Sequence, residues 1–138
     1  MFKKYTLKNG VRIVCEQIPY VRSVSLGIWV KTGSRNESTQ NNGISHFIEH
    51  MLFKGTEKRT AAEIAESIDN IGGQLNAFTG KECTCFYTKT LDEHIEIAID
   101  VLSDMFFNSL YAKKDITVEK KVILEEIGMY EDSPEELV

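Results

Sequence analysis

The sequence is poor in several features that would mark a specialised class of protein. Only three cysteines are present, which agrees with a reducing compartment, and we expect the cytoplasm. The 16 Lys and Arg residues are outnumbered by 21 Asp and Glu residues and form no cluster, which argues against a nucleic-acid partner. The longest apolar runs fall far short of the ~20 residues of a membrane span, and residues 1–4 do not lead into a signal-peptide core. We therefore expect a soluble globular domain with no membrane partner.

The cysteines show no obvious metal site of their own. Cys15 is alone in a predicted strand, whereas Cys83 and Cys85, at i and i+2, are predicted to share one face of a strand. A Cys-x-Cys pair can bind metal, but the remaining ligands of such a site are not evident. Packing within a strand is the preferred interpretation.

Histidine is also scarce, and two of the three histidines lie in the segment His46-Phe47-Ile48-Glu49-His50. On an α-helix, the two histidines differ by about 40° and one turn of rise, so both can direct a nitrogen at one ion. Glu49 lies about 60° from His46, which makes it a poor ligand but leaves it within reach of a metal-bound water. The predicted core-facing stripe of this helix consists of Ile44, Phe47, Ile48, Met51 and Leu52. The pattern is typical of a catalytic zinc site; the alternative is two surface histidines on an amphipathic helix.

A second helical face, within residues 117–130, carries two carboxylates among apolar side chains. Glu119 and Glu126 share this face with Val122, Ile123 and Tyr130. Burying an unpaired carboxylate costs on the order of several kcal/mol, so the pair requires a cation or hydrogen-bond donors. A zinc ion on the two histidines would provide that charge. Glu125 falls about 100° away, on the more polar side, so Glu126 is the predicted ligand; a solvated acidic helix is the alternative.

These motifs resemble those of the inverted zincins, the peptidases that include mitochondrial processing peptidase, pitrilysin and insulin-degrading enzyme. His-x-x-Glu-His is the known motif of that family. The likeness extends over residues 43–56 and continues in two further blocks, 73–79 and 119–127, in the right order and at the right separations. It covers the chain from about Tyr5 onward.

The resemblance implies an α+β fold, with an antiparallel-rich sheet and helices packed on one face. It implies Zn²⁺ as the cofactor and assigns roles at the metal: His46, His50 and Glu126 as ligands, Glu49 as general base, and Glu119 as a catalytic carboxylate that supports the ligands. It also places Asn76, Ala77 and Phe78 on a strand that pairs with substrate, with Phe53 and Phe78 near side-chain pockets.

Members of this family are much longer and are built from repeated α+β domains. We expect residues 1–138 to be the N-terminal, truncated part of a catalytic domain. A domain of about 150 residues still removes roughly 68–70% of its extended-chain surface from water, so a core is feasible. The resemblance implies that missing C-terminal domains or a partner subunit add an arginine and a tyrosine to the site. Uncovered apolar surface predicts self-association, and residues 131–138 are predicted to continue or end a helix after Ser133-Pro134.

Periodicity and turn signals predict the order of the elements. Two strands are predicted at 5–17 and 23–32, followed by a polar loop at 33–42 and the His-x-x-Glu-His helix. Thr60 with Glu63 forms a capping-box signature for a second helix, which Gly72-Gly73 ends before a third strand. A turn at Gly80-Lys81 precedes a strand at 84–90. Two further helices are predicted, one from a cap at Asp92 to about Phe106 and one over 119–126.

Together these features predict a zinc-dependent endopeptidase that acts on peptides or unfolded polypeptides. Glu49 would take a proton from a zinc-activated water and return it to the leaving amine. Substrate would add as a strand along residues 74–79. The isolated 138 residues are expected to be weakly active or inactive. Two alternatives stay open: a non-catalytic core-type assembly subunit, and an enzyme like S-ribosylhomocysteine lyase, whose third zinc ligand would be a cysteine; no cysteine follows Cys85.

Overall fold

The computed structural model of the protein describes residues 2–132, which form two antiparallel sheets and four α-helices. The strands are β1 (Phe2–Thr6), β2 (Arg12–Glu16), β3 (Ser23–Val30), β4 (Gln74–Thr79) and β5 (Thr84–Leu91). The helices are α1 (Ile44–Leu52), α2 (Ala61–Asp69), α3 (Ile95–Asn108) and α4 (Lys113–Glu131), with short 3-10 turns at Ser34–Asn36 and Asp92–His94. Within residues 2–132, no helix is long and apolar enough to cross a membrane.

The first predicted strand, 5–17, is wrong, because the chain reverses inside it. β1 and β2 pair as an antiparallel hairpin, closed by a hydrogen bond from the Leu7 N–H to the Val11 carbonyl at 2.8 Å. Gly10 takes a positive φ of 88°, and the Asn9 side chain accepts from the Val11 N–H. An Asn-Gly pair is a strong hairpin signal, and it outweighs the alternation that continues on both sides of it.

The larger sheet has the strand order β3-β5-β4, with all pairs antiparallel. β5 is central, and β4 is an edge strand that pairs only with β5 in the described part of the chain. Alternate side chains of the sheet face α1, α2 and α3, which pack on one side of it. This helix-covered side holds the core, formed by Leu52, Ile64, Ile68, Phe86, Val101, Leu102 and Met105, with Leu26, Ile28, Leu75 and Ala77 packed against it.

Local signals define the helix that leads into β4. Thr60 caps α2 by accepting from the Glu63 N–H, and the Glu63 carboxylate accepts from the Thr60 N–H, so the predicted capping box is confirmed. After α2, Gly72 adopts a φ of 65°. At Gly73 a Cβ atom would lie 2.8 Å from Cγ2 of Ile68, so only glycine lets β4 begin this close to the helix.

Other boundaries differ from the predictions. β5 begins at Thr84, so Cys83 precedes the strand and does not share a strand face with Cys85. α3 begins at Ile95, because Asp92 belongs to a separate 3-10 turn, and α4 begins at Lys113, well before residue 119. The prediction that a helix continues or ends after Ser133-Pro134 falls on residues 133–138, which lie outside the described residues.

The predicted apolar stripe of α1 is only partly buried. Met51 and Leu52 are buried in the core, but Ile44 and Ile48 are 40% and 38% exposed. Helices α1 and α4 also contact each other, which brings two segments distant in sequence together. The metal-binding candidates lie at this contact.

Candidate metal centre

Three potential metal ligands from two helices converge between α1 and α4. Nε2 of His46 and Nε2 of His50 are 3.1 Å apart, and Oε2 of Glu126 lies 3.7 Å from the first and 3.6 Å from the second. All three side chains are half-buried. One turn of α1 separates the histidines, and α4 contributes the carboxylate, as the two helical patterns predict.

The spacing of these three atoms fits a zinc ion. Zinc holds nitrogen and carboxylate oxygen at about 2.0–2.2 Å in a tetrahedron, which places neighbouring ligand atoms roughly 3.3 Å apart. The observed separations of 3.1, 3.6 and 3.7 Å bracket that value. Two nitrogens and one oxygen also form the donor set of catalytic zinc sites that keep a fourth position open.

A buried carboxylate contacts the ring nitrogen of His50 that is not directed at the other two ligands. Oε2 of Glu119 lies 3.0 Å from Nδ1 of His50, and its other oxygen forms an ion pair with Nζ of Lys54. The Glu119 side chain is only 5% exposed. Burial acts to raise its pKa, but the hydrogen bonds and charges of Lys54 and His50 outweigh burial, and the pKa is lowered. With Nδ1 engaged by a carboxylate, Nε2 of His50 is the nitrogen directed at the centre.

Glu49 faces a cavity beside the histidines. The cavity has a volume of about 210 Å³ and is lined by Glu49, His50, Phe53, Lys54, Asn76 and Ala77. Oε2 of Glu49 accepts a hydrogen bond from the Thr79 hydroxyl at the end of β4. Adjacent to Glu126 in sequence, Glu125 is exposed.

A remote carboxylate fixes the N-terminus of α1. The helix begins at Ile44, and the preceding Gly43 has no side chain to cap it. Glu37 fills that role from the preceding loop, because its two oxygens accept from the N–H groups of Gly43 and Ser45 at 2.6 and 2.8 Å. Burial acts to raise the pKa of Glu37, but these hydrogen bonds dominate and lower it. Sequence analysis missed both Glu37 and Thr79. The one available signal was a helix start without a capping residue, which concerns Glu37.

Edge strand β4 borders the cavity with its free side. The N–H of Ala77 donates to the side-chain oxygen of Asn76 at 2.8 Å, so it does not bond to β5 and points to the free edge. Phe53 lines the cavity on the helix-covered side. Phe78 faces the opposite side, where its ring packs edge-on against Trp29 with a centroid distance of 5.6 Å. The two phenylalanines predicted near pockets therefore lie on different sides of the sheet.

Comparison with known families gives a clear assignment. The sequence model of Insulinase (Peptidase family M16) matches residues 12–138. The chain belongs to the M16 peptidase family. The resemblance to the inverted zincins is thereby confirmed.

Relatives of this M16 chain carry zinc protease names. The uncharacterized zinc protease YmxG of Bacillus subtilis is 59% identical over 138 residues, which are 100% of this chain and 34% of the relative. A zinc protease of Streptomyces coelicolor is 50% identical over 136 residues, or 99% of this chain and 30% of the relative. The chain thus spans about a third of the length of the curated relatives it matches.

A solved structure confirms the predicted α+β fold with helices on one face of an antiparallel sheet. The crystal structure of a protease from Helicobacter pylori matches with a TM-score of 0.94 and 26% identity. The match covers 99% of this M16 chain and 33% of that protein.

Proposed function

We propose that the chain is the zinc-binding part of a metalloendopeptidase that hydrolyses peptides or unfolded polypeptides. The observation that carries this proposal is the convergence of His46, His50 and Glu126 at tetrahedral spacing. Membership of a peptidase family supports peptide hydrolysis, and the names of the relatives support zinc. Residues 1–138 would be the N-terminal part of the catalytic domain.

Zinc bound by these three residues would act as a Lewis acid and lower the pKa of water that it binds to about 7. Glu49 is the proposed base: it takes the proton of the attacking water and returns it to the leaving amine. The Thr79 hydroxyl orients this carboxylate toward the cavity. Glu119 and Lys54 hold the His50 ring so that Nε2 keeps its direction.

Substrate would bind as an added strand on the free edge of β4. The Ala77 N–H is directed away from β5, so a peptide backbone could accept from it after displacing the Asn76 side chain. This position brings a peptide across the cavity that Glu49 and His50 line. Backbone pairing gives affinity without requiring one sequence.

The two alternative functions have less support. A non-catalytic assembly subunit has no need of a complete ligand set with a base beside it, and this chain has both. A lyase-type site would use a cysteine as its third ligand. Cys85 is instead buried in the central strand β5, paired between Trp29 and Phe78.

Metal binding tests the ligand set directly on the 138-residue chain. Glu126→Gln should lower zinc affinity strongly, whereas Glu125→Gln should leave it unchanged, because of these two carboxylates Glu126 is the one that lies near Nε2 of both histidines. The two variants differ by one position and carry the same charge change. Zinc affinity is measured by competition with a chromophoric chelator. Equal losses in the two variants, or a loss only with Glu125→Gln, would overturn the assignment.

Separating the base from the ligands requires a second variant. Glu49→Gln should retain zinc and lower turnover by about 10²–10⁴-fold, because a general base contributes that much. Turnover is measured with a quenched unfolded peptide, in the chain extended to the length of its relatives. A Glu49→Gln protein that loses zinc, or that retains full activity, would contradict the role of base.

A further inference from the structure

The rings of the two histidines at the metal centre are held in different ways. Nδ1 of His50 contacts the buried carboxylate of Glu119 at 3.0 Å. His46 has no such support: within residues 2–132, its ring nitrogens form a hydrogen bond or ion pair only with His50 and Glu126. His46 is the third residue of α1 and so belongs to the first turn, where a helix lacks part of its backbone hydrogen bonds. The direction of its ring therefore depends on how firmly that turn is held.

The first turn of α1 is held by a side chain of the preceding loop 33–43. The N–H groups of Gly43 and Ser45 donate to the two oxygens of Glu37 at 2.6 and 2.8 Å. This carboxylate takes the place of a capping residue at a helix start where glycine provides none. Because Ser45 directly precedes His46, Glu37 fixes the backbone next to a proposed zinc ligand.

The loop 33–43 is itself anchored on the turn between β4 and β5. The N–H of Ser34 donates to the Gly80 carbonyl at 3.1 Å, and the N–H of Arg35 donates to the next carbonyl at 3.0 Å. At Gly33, a Cβ atom would lie 2.3 Å from the Gly80 carbonyl oxygen, so only glycine allows the loop to come this close. The position of the loop is therefore set by the turn.

The same turn contacts α1 at a second place. Thr79, the last residue of β4, donates its hydroxyl to Glu49. The next residue is Gly80, which holds the loop 33–43. The turn at the end of the proposed substrate-pairing strand thus contacts the proposed base directly, and it contacts the start of the zinc helix through Glu37.

We propose that Glu37 is a positioning residue for the zinc ligand His46, and that the β4–β5 turn holds Glu37 in place through the loop 33–43. This inference deepens the proposed function and rests on it, because it requires His46 to bind zinc. Glu37 is not a ligand. It keeps the first turn of α1 formed, so that Nε2 of His46 stays directed at the other two ligands.

Two pairs of variants test the two steps of this proposal. Glu37→Gln keeps the size of the side chain but replaces one acceptor oxygen by an amide nitrogen, which only donates. Its control, Glu57→Gln, makes the same charge change at an exposed position beyond the other end of α1. Gly33→Ala adds a methyl group where the loop meets the turn, whereas Ser34→Ala, at the next and exposed position, leaves that approach unobstructed. Circular dichroism and urea unfolding without metal check that each variant is folded.

The imidazole nitrogens report on the ligands separately. The chain has three histidines, so isotope-labelled histidine gives three ring signals in NMR spectra. His46 reports the first turn, His50 reports the ligand that Glu119 supports, and His94, before α3, is the reference. Zinc is titrated into each labelled protein, and its affinity is measured by competition with a chromophoric chelator. In the unmodified chain, zinc should shift the signals of His46 and His50 and leave that of His94 in place.

Glu37→Gln should bind zinc about 3–30-fold more weakly, which is the range expected from loss of a helix cap. Gly33→Ala should weaken binding in the same direction. At saturating zinc, the His46 signal of both variants should differ from that of the unmodified chain, whereas the His50 signal should coincide with it. Both control variants should match the unmodified chain in affinity and in all three signals.

The results distinguish this proposal from the proposed function. A folded Glu37→Gln protein with unaltered zinc affinity and His46 signal would overturn the positioning role, and so would equal displacement of the His46 and His50 signals. If Glu37→Gln does not fold, Gly33→Ala decides the question, and behaviour like that of Ser34→Ala would refute the role of the turn. Absence of any zinc-dependent shift at His46 and His50 in the unmodified chain would contradict the proposed metal centre itself, and this proposal with it.

Discussion

Replacing Glu119 by glutamine tests whether the buried carboxylate behind His50 supports metal binding. The substitution keeps the shape of the side chain but removes its charge, in a site where the side chain is 5% exposed. Glutamine can still accept from Nδ1 of His50, yet it no longer neutralises Lys54 or strengthens the histidine as a donor. Loss of such a supporting carboxylate typically lowers metal affinity 10–100-fold. That range corresponds to about 1.4–2.8 kcal/mol.

The assay is competition for zinc between the chain and a chelator of known affinity, at one fixed pH for all variants. Glu125→Gln is the matched control, since Glu125 is exposed on the same helix. Circular dichroism and thermal unfolding without metal check that Glu119→Gln is folded. If folded Glu119→Gln binds zinc within two-fold of the unmodified chain, the hydrogen bond at 3.0 Å has no part in metal binding and the reasoning fails.

Four further predictions concern the β4 edge, the orientation of Glu49, the buried carboxylate Asp104 and the length of the chain. Ala77→Pro should weaken peptide binding with zinc content intact, because it removes an edge donor without breaking the β5 ladder; unchanged peptide affinity would place substrate elsewhere. Thr79→Val should lower kcat/KM roughly 10-fold at unchanged zinc content, since Glu49 loses its orienting partner; an unaltered kcat/KM would contradict that role. Burial acts to raise the pKa of Asp104, but the hydrogen bonds that it accepts from Thr56, Asn108 and Arg59, together with the charge of Arg59, outweigh burial and lower the pKa from 3.8. The charged carboxylate therefore stabilises the fold fully above pH 3.8. This stabilisation is lost as the pH falls through the lower pKa of the folded state. Asp104→Asn should cost about 1–3 kcal/mol in urea unfolding at pH 7, and the difference should shrink toward pH 3; a constant difference would refute the charge argument. The 138-residue chain should hydrolyse an unfolded peptide at least ~10²-fold more slowly than a chain of the relatives' length, and comparable kcat/KM values would show that these 138 residues suffice.

Most of the features that sequence analysis predicts correctly are local in sequence; the exceptions are the α+β fold and the meeting of Glu126 with the two histidines. The one-turn spacing of His46 and His50 and the capping box at Thr60 involve residues at most four positions apart, so helix geometry alone relates them. The hairpin was missed although its Asn9-Gly10 signal is also local, because alternation on both sides was interpreted as one strand. That error reflects a choice between two local signals.

The contacts that sequence analysis missed come from tertiary structure. Glu37 reaches the start of α1 across the preceding loop, and Thr79 reaches Glu49 across thirty positions. No periodicity relates such residues, because the Glu37 contact depends on the path of the loop before α1 and the Thr79 contact depends on how β4 and α1 pack. The exposure of Ile44 and Ile48 has the same origin, since a helical stripe shows which face is apolar but not which elements cover it.

The bond between the Asn76 side chain and the Ala77 N–H changes the behaviour of the β4 edge. An open strand edge is a template for any extended chain, including an unfolded copy of the same chain, and such pairing leads to aggregation. Here the donor is already satisfied, so an incoming backbone exchanges one hydrogen bond for another and gains little from that bond alone. Only a peptide that also fills neighbouring space has a net advantage. The edge can thus remain exposed in solution and still discriminate among the chains that reach it.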